Sequence, residues 1–234
     1  PDFTASFLVL AGVYLLGMAV LSLLQIPPPP RPSRGHHGAS VGEIARRPVF
    51  LVALSAAVVG YGVMNLLMVA TPLSMEHHAH SFHDAAFVIQ WHVVAMFLPS
   101  FFTGDLIRRY GVTTIIATGT LLMAGCVAVN WLGHGVWDYW LSLVLLGLGW
   151  NFLFIGGTTL LTEAHTPLEK ARTQAMNDFI VFGVVTCTAL GSGALLTLLG
   201  WEWLNIAVLP ALALVLVGLI WLHGSGRRQP LPAH

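Results

Sequence analysis

Seven polar side chains lie inside long apolar stretches of the sequence, where an amide or a charge is costly to bury. They are Asn65, Gln90, His92, Asn130, Asn151, Asn177 and Asp178. Asn151 is near the middle of its stretch and follows Trp150, so a hydrogen-bonding group adjoins a flat apolar surface. This pair predicts a contact with a small solute. A hydrogen bond between two helices is the alternative.

Asp178, in the stretch Thr173–Leu199, is the most informative acid. It comes six residues after Arg172, which is about 9 Å along a helix. A carboxylate removed from water at that depth is suited to binding and releasing a proton, so we predict a role in proton coupling. The alternative is an acid in a first helical turn, stabilised by the helix dipole and still reached by water.

Four histidines cluster in segment 76–84, namely His77, His78, His80 and His83. Such a cluster would bind zinc or copper or sense external pH, although histidines in a water-facing loop need no such role. We predict no metal or other cofactor, and treat these four as weak candidates. Gln90 and His92 follow in the next helix and would form a polar lining near its outer end.

Known catalytic motifs are missing from the sequence, which contains no GxSxG, HExxH, CxxC or P-loop pattern. A retinal-binding protein would need a lysine in its last helix, but the only lysine is Lys170, between two apolar stretches. We therefore predict that the protein is not an enzyme. A seven-helix sensor or metalloenzyme that uses the histidine-rich segment is the alternative.

Composition indicates a protein that crosses the membrane several times. Of 234 residues 56% are hydrophobic and 9% are charged, and the mean hydropathy is +0.78; a soluble domain has about 25% charged residues. The lipid bilayer is therefore a predicted partner, whereas no basic surface indicates nucleic acid. Cys126 and Cys187 both lie in apolar stretches and are expected to be buried free thiols.

Seven apolar segments approach the length of about 20 residues that a spanning helix needs. They are Ala5–Ile26, Val49–Met75, Ala85–Ile107, Val112–Leu132, Trp137–Leu161, Thr173–Leu199 and Leu204–Leu222. Because backbone groups in lipid must be paired internally, the predicted fold is an all-α membrane protein with seven transmembrane helices.

The distribution of cations supports seven spans. All ten Lys and Arg residues fall on one side, in segment 27–48, turn 104–111, loop 162–172 and the C-terminal tail. The positive-inside rule places that side in the cytoplasm, with the linker and the C-terminus. We expect turn 104–111 to be a tight polar turn between two spans.

The segment Pro27–Pro48 separates the first span from the other six. Its proline run predicts extended polyproline II structure. Ser40 and Glu43 fit a capping box, which predicts a short interfacial helix ending near Arg47. The expected division is a helix at 1–26, a cytoplasmic linker at 27–47, a six-helix unit at 48–223 and a tail at 224–234. Many glycines in that unit should let its helices pack closely.

The turn resembles the signature loop of the major facilitator superfamily, which has the form G-x-L-x-D-R-x-G-R and joins two helices of each six-helix half. Four residues fall on this pattern: Gly104, Leu106, Arg109 and Gly111. Arg108 stands where the family has Asp, Asp105 is displaced toward the start, and Val112 stands where the family has its last basic residue.

A second segment resembles the loop between the fourth and fifth helices of such a half. It contains Glu163, Pro167 and Arg172 in the expected order. The resemblance implies that Glu163 and Arg172 form a cytoplasmic gate with the signature loop residues Gly104, Asp105, Arg108, Arg109 and Gly111. It also implies that the chain is the last helix of one half followed by a complete second half, with the first half missing.

The resemblance further implies a site and a mechanism. The first and fourth helices of a half line the central cavity in this family, which places Tyr61, Asn65, Trp150 and Asn151 toward the solute. The implied function is secondary transport by alternating access, in the inner membrane of a bacterium. Few charges lie in the spans, which favours a neutral or weakly charged solute.

Overall fold

A computed structural model describes residues 4–25 and 38–224 of the chain, and every regular element within them is helical. The helices are α1 (Thr4–Ser22), α2 (Val41–Ala45), α3 (Pro48–His77), α4 (Phe82–Phe97), α5 (Ser100–Tyr110), α6 (Val112–Leu132), α7 (Val136–Thr162), α8 (Lys170–Leu199), α9 (Trp201–Ile206) and α10 (Leu209–Gly224). The predicted all-α fold is confirmed.

The chain divides into two compact units, Pro1–His37 and Gly38–His234. In the first unit the structure describes α1, a 19-residue apolar helix without a buried residue. In the second unit it describes the bundle of α2 to α10. The polyproline prediction falls outside the described residues. The predicted short helix is present as α2, where Ser40 and Glu43 form the capping box, and its place at the membrane interface stays a prediction.

Within residues 4–25 and 38–224, six helical segments are long and apolar enough to cross a membrane, the last being α9 together with α10. Helices α4 and α5 make a seventh if the pair is one bent span. The expected third span is therefore not one straight helix. It bends by 45° between Phe97 and Ser100. Pro99 stands at the bend, and because proline lacks a backbone N–H it cannot continue the hydrogen-bond ladder.

The expected polar turn at 104–111 was wrong in its extent. Helix α5 continues to Tyr110, and Gly111 alone, at φ 85°, joins it to α6. Polar residues do not end a helix by themselves, and Asp105 and Arg108 form an i,i+3 ion pair on its surface. Only the positive φ at Gly111, which glycine adopts without steric cost, interrupts the helix.

Helix α7 lies at the centre of the bundle and packs against α3, α4 and α6. Its glycines allow this. A Cβ atom at Gly149 would lie 2.9 Å from the carbonyl oxygen of Gly119 in α6, and one at Gly157 would lie 3.0 Å from that of Ala53 in α3. These approaches confirm the expected glycine packing. Of the two cysteines, Cys126 is buried as expected, whereas Cys187 is exposed on α8.

Two sets of contacts show which helix ends lie together. Arg47, before α3, bonds to Glu169, before α8. Ser74, near the other end of α3, bonds to Tyr139, near the start of α7. The start of α3 therefore shares one end of the bundle with the start of α8, and the end of α3 shares the opposite end with the start of α7.

Candidate functional site

An aromatic cluster formed by Tyr61, Trp150, Phe154 and Phe182 joins three helices of the bundle. The Tyr61 ring centroid lies 5.4 Å from those of Trp150 and Phe154 and 6.0 Å from that of Phe182, each in an edge-on arrangement. Trp150 and Phe154 stack with an interplanar angle of 7°. The predicted residues Tyr61 and Trp150 are therefore in direct contact.

The cluster is open to the surface of the bundle on one side. Phe182 is 54% exposed, and Phe97, whose ring lies 5.8 Å from Trp150, is 56% exposed. Trp150 is only 6% exposed, and its Nε1–H donor has no hydrogen-bond partner among the described residues. A buried donor without an acceptor is uncommon, so this indole has unused hydrogen-bonding capacity.

Asn65 lies one helical turn beyond Tyr61 on α3. Its Nδ2 atom donates to the carbonyl oxygen of Val185 at 3.2 Å and to Oγ1 of Thr188 at 3.1 Å. The amide thus connects α3 to α8 and is partly buried. Asn65 is close in sequence to Tyr61 of the cluster, and its side-chain NH₂ group is hydrogen-bonded within the protein.

Asn151 is fully buried and bonds to the bent helix pair α4 and α5. Its Nδ2 atom donates to the carbonyl oxygen of Met96 and to Oγ of Ser100, both at 2.7 Å, while Thr103 Oγ1 donates to its Oδ1 at 2.6 Å. These are groups at the break around Pro99. The amide therefore supplies partners that the interrupted helix lacks. Its contact with a solute stays a prediction.

Asp178 lies on α8, one turn before Phe182. Its Oδ1 accepts a hydrogen bond from Asn177 Nδ2 at 3.0 Å, and Gln174 Nε2 lies 3.5 Å away. The side chain is partly exposed. The acid is thus near the aromatic cluster along its helix, and its role in proton coupling stays a prediction.

Gln90 and His92 separate in the structure. Gln90 is exposed, whereas His92 is fully buried with Nδ1 2.8 Å from the carbonyl oxygen of Leu143. Asn130 is also buried and donates to Asn205 Oδ1 at 2.7 Å, which ties α6 to α9. Asn130 and His92 therefore bond to other helices rather than to the aromatic cluster.

The histidine-rich segment does not bring its four histidines together as one set of ligands. Among the described residues, the group that is close enough to hold a metal ion is His78, His134 and Glu202. Only His78 belongs to the predicted set. His80 Nε2 instead lies 2.6 Å from the carbonyl oxygen of His134, and His83 is exposed at the start of α4.

The predicted gate residues have different partners. Arg172 Nη1 donates to the carbonyl oxygen of Ala39 at 2.6 Å, and Glu163 is exposed at the end of α7. Arg108 pairs with Asp105 in its own helix. Arg109 lies over the Tyr110 ring at 5.3 Å. Their pairing across the gate stays a prediction.

The sequence did not indicate a partly buried ion pair at this end. Arg47 Nη1 lies 2.7 Å from Glu169 Oε2, and Arg47 Nη2 lies 2.9 Å from Oε1. The hydrogen bonds from Arg47, from Thr166 N–H and from Ala39 N–H hold the pKa of Glu169 well below its usual range, against the effect of burial. The same pair raises the pKa of Arg47.

Sequence reasoning also missed Phe154 and Phe182 of the aromatic cluster. Phe154 follows Trp150 by one helical turn, so the i,i+4 spacing could have identified it. Phe182 is on another helix, and only the packing of α8 against α3 brings it to Tyr61. The same holds for His134 and Glu202, which lie far from His78 in the sequence.

Helices that cross the membrane several times, packed around a glycine-rich α7, define a multi-span membrane protein. The family model "Major Facilitator Superfamily" matches the chain over residues 1–182 and 53–234. The chain belongs to this superfamily, as the resemblance predicted.

Two relatives are similar over most of the chain. The riboflavin transporter RfnT of Brucella anthropi is 45% identical over 224 residues, which is 94% of this chain and 56% of the relative. The uncharacterized MFS-type transporter YdeG of Bacillus subtilis is 32% identical over 194 residues, or 77% of this chain and 45% of the relative. The chain thus spans about half the length of the curated relatives it matches. Their transporter names agree with the prediction of a transporter rather than an enzyme.

Proposed function

We propose that the protein is part of a secondary transporter for a flat, neutral or weakly charged heteroaromatic solute, and that riboflavin is the first solute to test. The observation that carries this proposal is the cluster of Tyr61, Trp150, Phe154 and Phe182, open on one side. The similarity to a riboflavin transporter supports the choice of solute.

The chemistry of the cluster suits a flat ring. Aromatic side chains bind ring systems by offset or edge-on contact, each pair contributing about 0.5–1.5 kcal/mol beyond the buried area. The unpartnered Nε1–H of Trp150 would donate to a ring carbonyl or nitrogen of the solute. Because Asp178 is the only charged residue in the interior of α3, α7 and α8, a multiply charged solute would find few partners there.

Alternating access requires a second bundle of helices on the open side of the cluster. We propose that a further half of the transporter covers this face, consistent with relatives about twice as long as the chain. The end of the bundle with Arg47 and Glu169 would face the cytoplasm of a bacterium, because cations concentrate on that side. Residues 104–111, Glu163 and Arg172 would then contribute to a cytoplasmic gate.

Proton coupling through Asp178 is part of the same proposal. This acid lies one turn from Phe182, so a change in its protonation would alter the charge next to the solute. The Asp178→Asn variant should then retain solute binding but lose the dependence of uptake on a proton gradient. If uptake by Asp178→Asn keeps the native dependence on external pH, the coupling role is removed and the transport proposal is unaffected.

The transport test is riboflavin uptake by bacteria that cannot synthesise riboflavin and that express the protein from its complete coding sequence. We expect Tyr61→Leu and Phe182→Leu to reduce uptake at low riboflavin concentration by about tenfold, since each removes ring contacts of about 1.4 kcal/mol. Tyr61→Phe keeps the ring and should retain most of the uptake.

Phe87→Leu is the matched control, because it removes an aromatic ring that contacts Trp91 and Trp137 rather than the cluster. It should leave uptake close to the native level at equal amounts of protein in the membrane. Equal losses of uptake in Phe87→Leu and Tyr61→Leu would contradict the assignment of the aromatic cluster as the solute-binding site. If riboflavin is not taken up but another flat heterocycle is, and that uptake depends on Tyr61, then the solute assignment is wrong and the site assignment holds.

A further inference from the structure

Three side chains from different parts of the chain meet at the end of the bundle opposite to Arg47 and Glu169. His78 caps α3, His134 lies in the loop between α6 and α7, and Glu202 is in the first turn of α9. Each offers one ligand atom, and these atoms all lie within 4.8 Å of one another. The two imidazole rings stack at 4.3 Å between centroids, with an interplanar angle of 8°.

The hydrogen bonds of His78 leave one ring nitrogen able to bind a cation. Its Nδ1 atom lies 2.8 Å from the carbonyl oxygen of Ser74, which can only accept a hydrogen bond. Nδ1 therefore carries the proton, and Nε2 has a free lone pair. A histidine that donates its other N–H to a backbone carbonyl is the usual arrangement in protein metal sites. The Tyr139 hydroxyl lies 3.1 Å from His78 Nδ1 and 2.7 Å from Ser74 Oγ. These contacts hold the His78 ring in position.

The contact between His134 and Glu202 needs a proton or a cation to stabilise it. His134 Nε2 lies 3.0 Å from Glu202 Oε1, yet this nitrogen is buried and makes no hydrogen bond within the described residues. A nitrogen lone pair and a carboxylate oxygen repel each other at this distance unless a cation or a proton lies between them. His80 Nε2, 2.6 Å from the carbonyl oxygen of His134, holds the loop in position.

We propose that His78, His134 and Glu202 form a binding site for a divalent transition-metal ion of the zinc type. Two imidazoles and one carboxylate suit Zn²⁺ better than Mg²⁺ or Ca²⁺, which prefer oxygen ligands. Three ligands on a tetrahedral ion lie about 3.4 Å apart, given metal–ligand bonds of about 2.1 Å, so small side-chain rotations would close the present set.

The site would leave its fourth position accessible from outside the protein. A cavity of about 530 Å³ adjoins it and is lined by His77, His78, Glu202 and Trp201 together with residues of α8. Three protein ligands with an open position are typical of zinc sites that accept water or a further ligand. A bound ion would also tie together the outer ends of α3, α7 and α9. The site is independent of the aromatic cluster and of the identity of the solute.

The test is zinc binding by the full chain, purified in detergent, stripped of metal with a chelator and freed of any affinity tag. Titration calorimetry with ZnCl₂ should give one bound Zn²⁺ that His134→Ala and Glu202→Gln each weaken by at least about tenfold. MgCl₂ should give no comparable binding. Zn²⁺ should raise the melting temperature of the native chain and not that of the variants.

The matched control is His83→Ala, which removes a histidine of the same segment from outside the group. It should bind Zn²⁺ like the native chain. If His134→Ala fails to fold, Glu202→Gln, with a side chain 40% exposed, still provides the comparison. The proposal is overturned if the native chain binds no Zn²⁺, if both variants bind it as tightly as the native chain, or if His83→Ala weakens binding equally.

Discussion

Arg47 and Glu169 form a two-pronged ion pair, with nitrogen–oxygen distances of 2.7 and 2.9 Å, between the residue that precedes α3 and the residue that precedes α8. The Glu169 side chain is 5% exposed and that of Arg47 is 24% exposed. Glu169 also accepts hydrogen bonds from Ala39 N–H and Thr166 N–H, so one carboxylate joins the segment before α2 to the α7–α8 loop. If the bundle opens at this end during transport, this contact must break or move with it.

Replacing Glu169 with Gln should destabilise the bundle by about 2 kcal/mol, because two charge-assisted hydrogen bonds are lost and an NH₂ group then faces donors. Unfolding in detergent can be followed by labelling of the buried Cys126 thiol in a Cys187→Ala background, since Cys187 is exposed. Glu163→Gln, a change of the same chemistry at an exposed position nearby, should alter the melting temperature little. Equal shifts in the two variants would show that Glu169 has no special role.

The stabilisation by Glu169 should be insensitive to pH near neutrality. The hydrogen bonds from Arg47 lower the pKa of the folded carboxylate below its ordinary value of 4.5, so the contribution is fully present above that value and is lost as pH falls toward the folded pKa. The difference in melting temperature between native chain and Glu169→Gln should therefore be constant from about pH 8 to 5.5 and shrink below about pH 4.5. A difference that changes between pH 8 and 6 would point to another titrating group.

Asn151 and Pro99 should be energetically coupled. Asn151→Leu removes the donor to the Met96 carbonyl oxygen at the helix break, and a buried unsatisfied group costs about 1–3 kcal/mol. In Pro99→Ala the residue that interrupts the helix is removed, so α4 and α5 can form one continuous helix. The Met96 carbonyl oxygen can then accept a hydrogen bond from the Ser100 N–H. The double variant should therefore lose less stability than the sum of the single variants.

A double-mutant cycle on melting in detergent measures this coupling, and we expect an interaction energy of about 1 kcal/mol or more. Asn130→Leu is the comparison, because Asn130 is also a buried amide in a span but bonds to Asn205. Its effect should add to that of Pro99→Ala without coupling. Additive effects for Asn151 and Pro99 would mean that the Asn151 amide does not stabilise the helix break at Pro99.

The sequence predicted the helical class and six of its seven expected spans, because the length and polarity of a spanning helix follow from the bilayer itself. It also located the capping box before α2, a local pattern of two side chains three positions apart. The bend at Pro99 was open to prediction from the same rules, since a proline inside an apolar stretch interrupts a helix. The polar residues of α5 obscured it, because they resembled a loop.

Only part of the candidate site could be predicted from the sequence. Tyr61 came from the resemblance and Trp150 first from its place beside Asn151, and their contact depends on how α3 crosses α7, which apolar periodicity does not encode. Glu169 was passed over in favour of Glu163, six positions earlier, since both lie in one polar loop. What distinguishes them is burial against Arg47, a property of two segments more than a hundred residues apart.

Close packing of α7 on α3 should depend on Gly157. A Cβ atom there would lie 3.0 Å from the Ala53 carbonyl oxygen and 3.1 Å from the Ala57 backbone nitrogen, and backbone atoms cannot turn aside as a long side chain can. Gly157→Ala would push the helices apart and should lower stability by about 1–3 kcal/mol, despite the higher helix propensity of alanine. Gly183→Ala in α8 is the control, since a Cβ atom there meets no atom within 4 Å.

Gly183→Ala should leave the melting temperature unchanged or raise it, because alanine favours the helix by up to about 1 kcal/mol over glycine. Measured side by side by Cys126 labelling, the two variants should differ in sign. The position of Tyr61 gives a second readout, because α3 carries it against Trp150 of α7. Tryptophan fluorescence should therefore change in Gly157→Ala and not in Gly183→Ala. A Gly157→Ala chain as stable as the native one would show that the α3–α7 contact can widen at little cost.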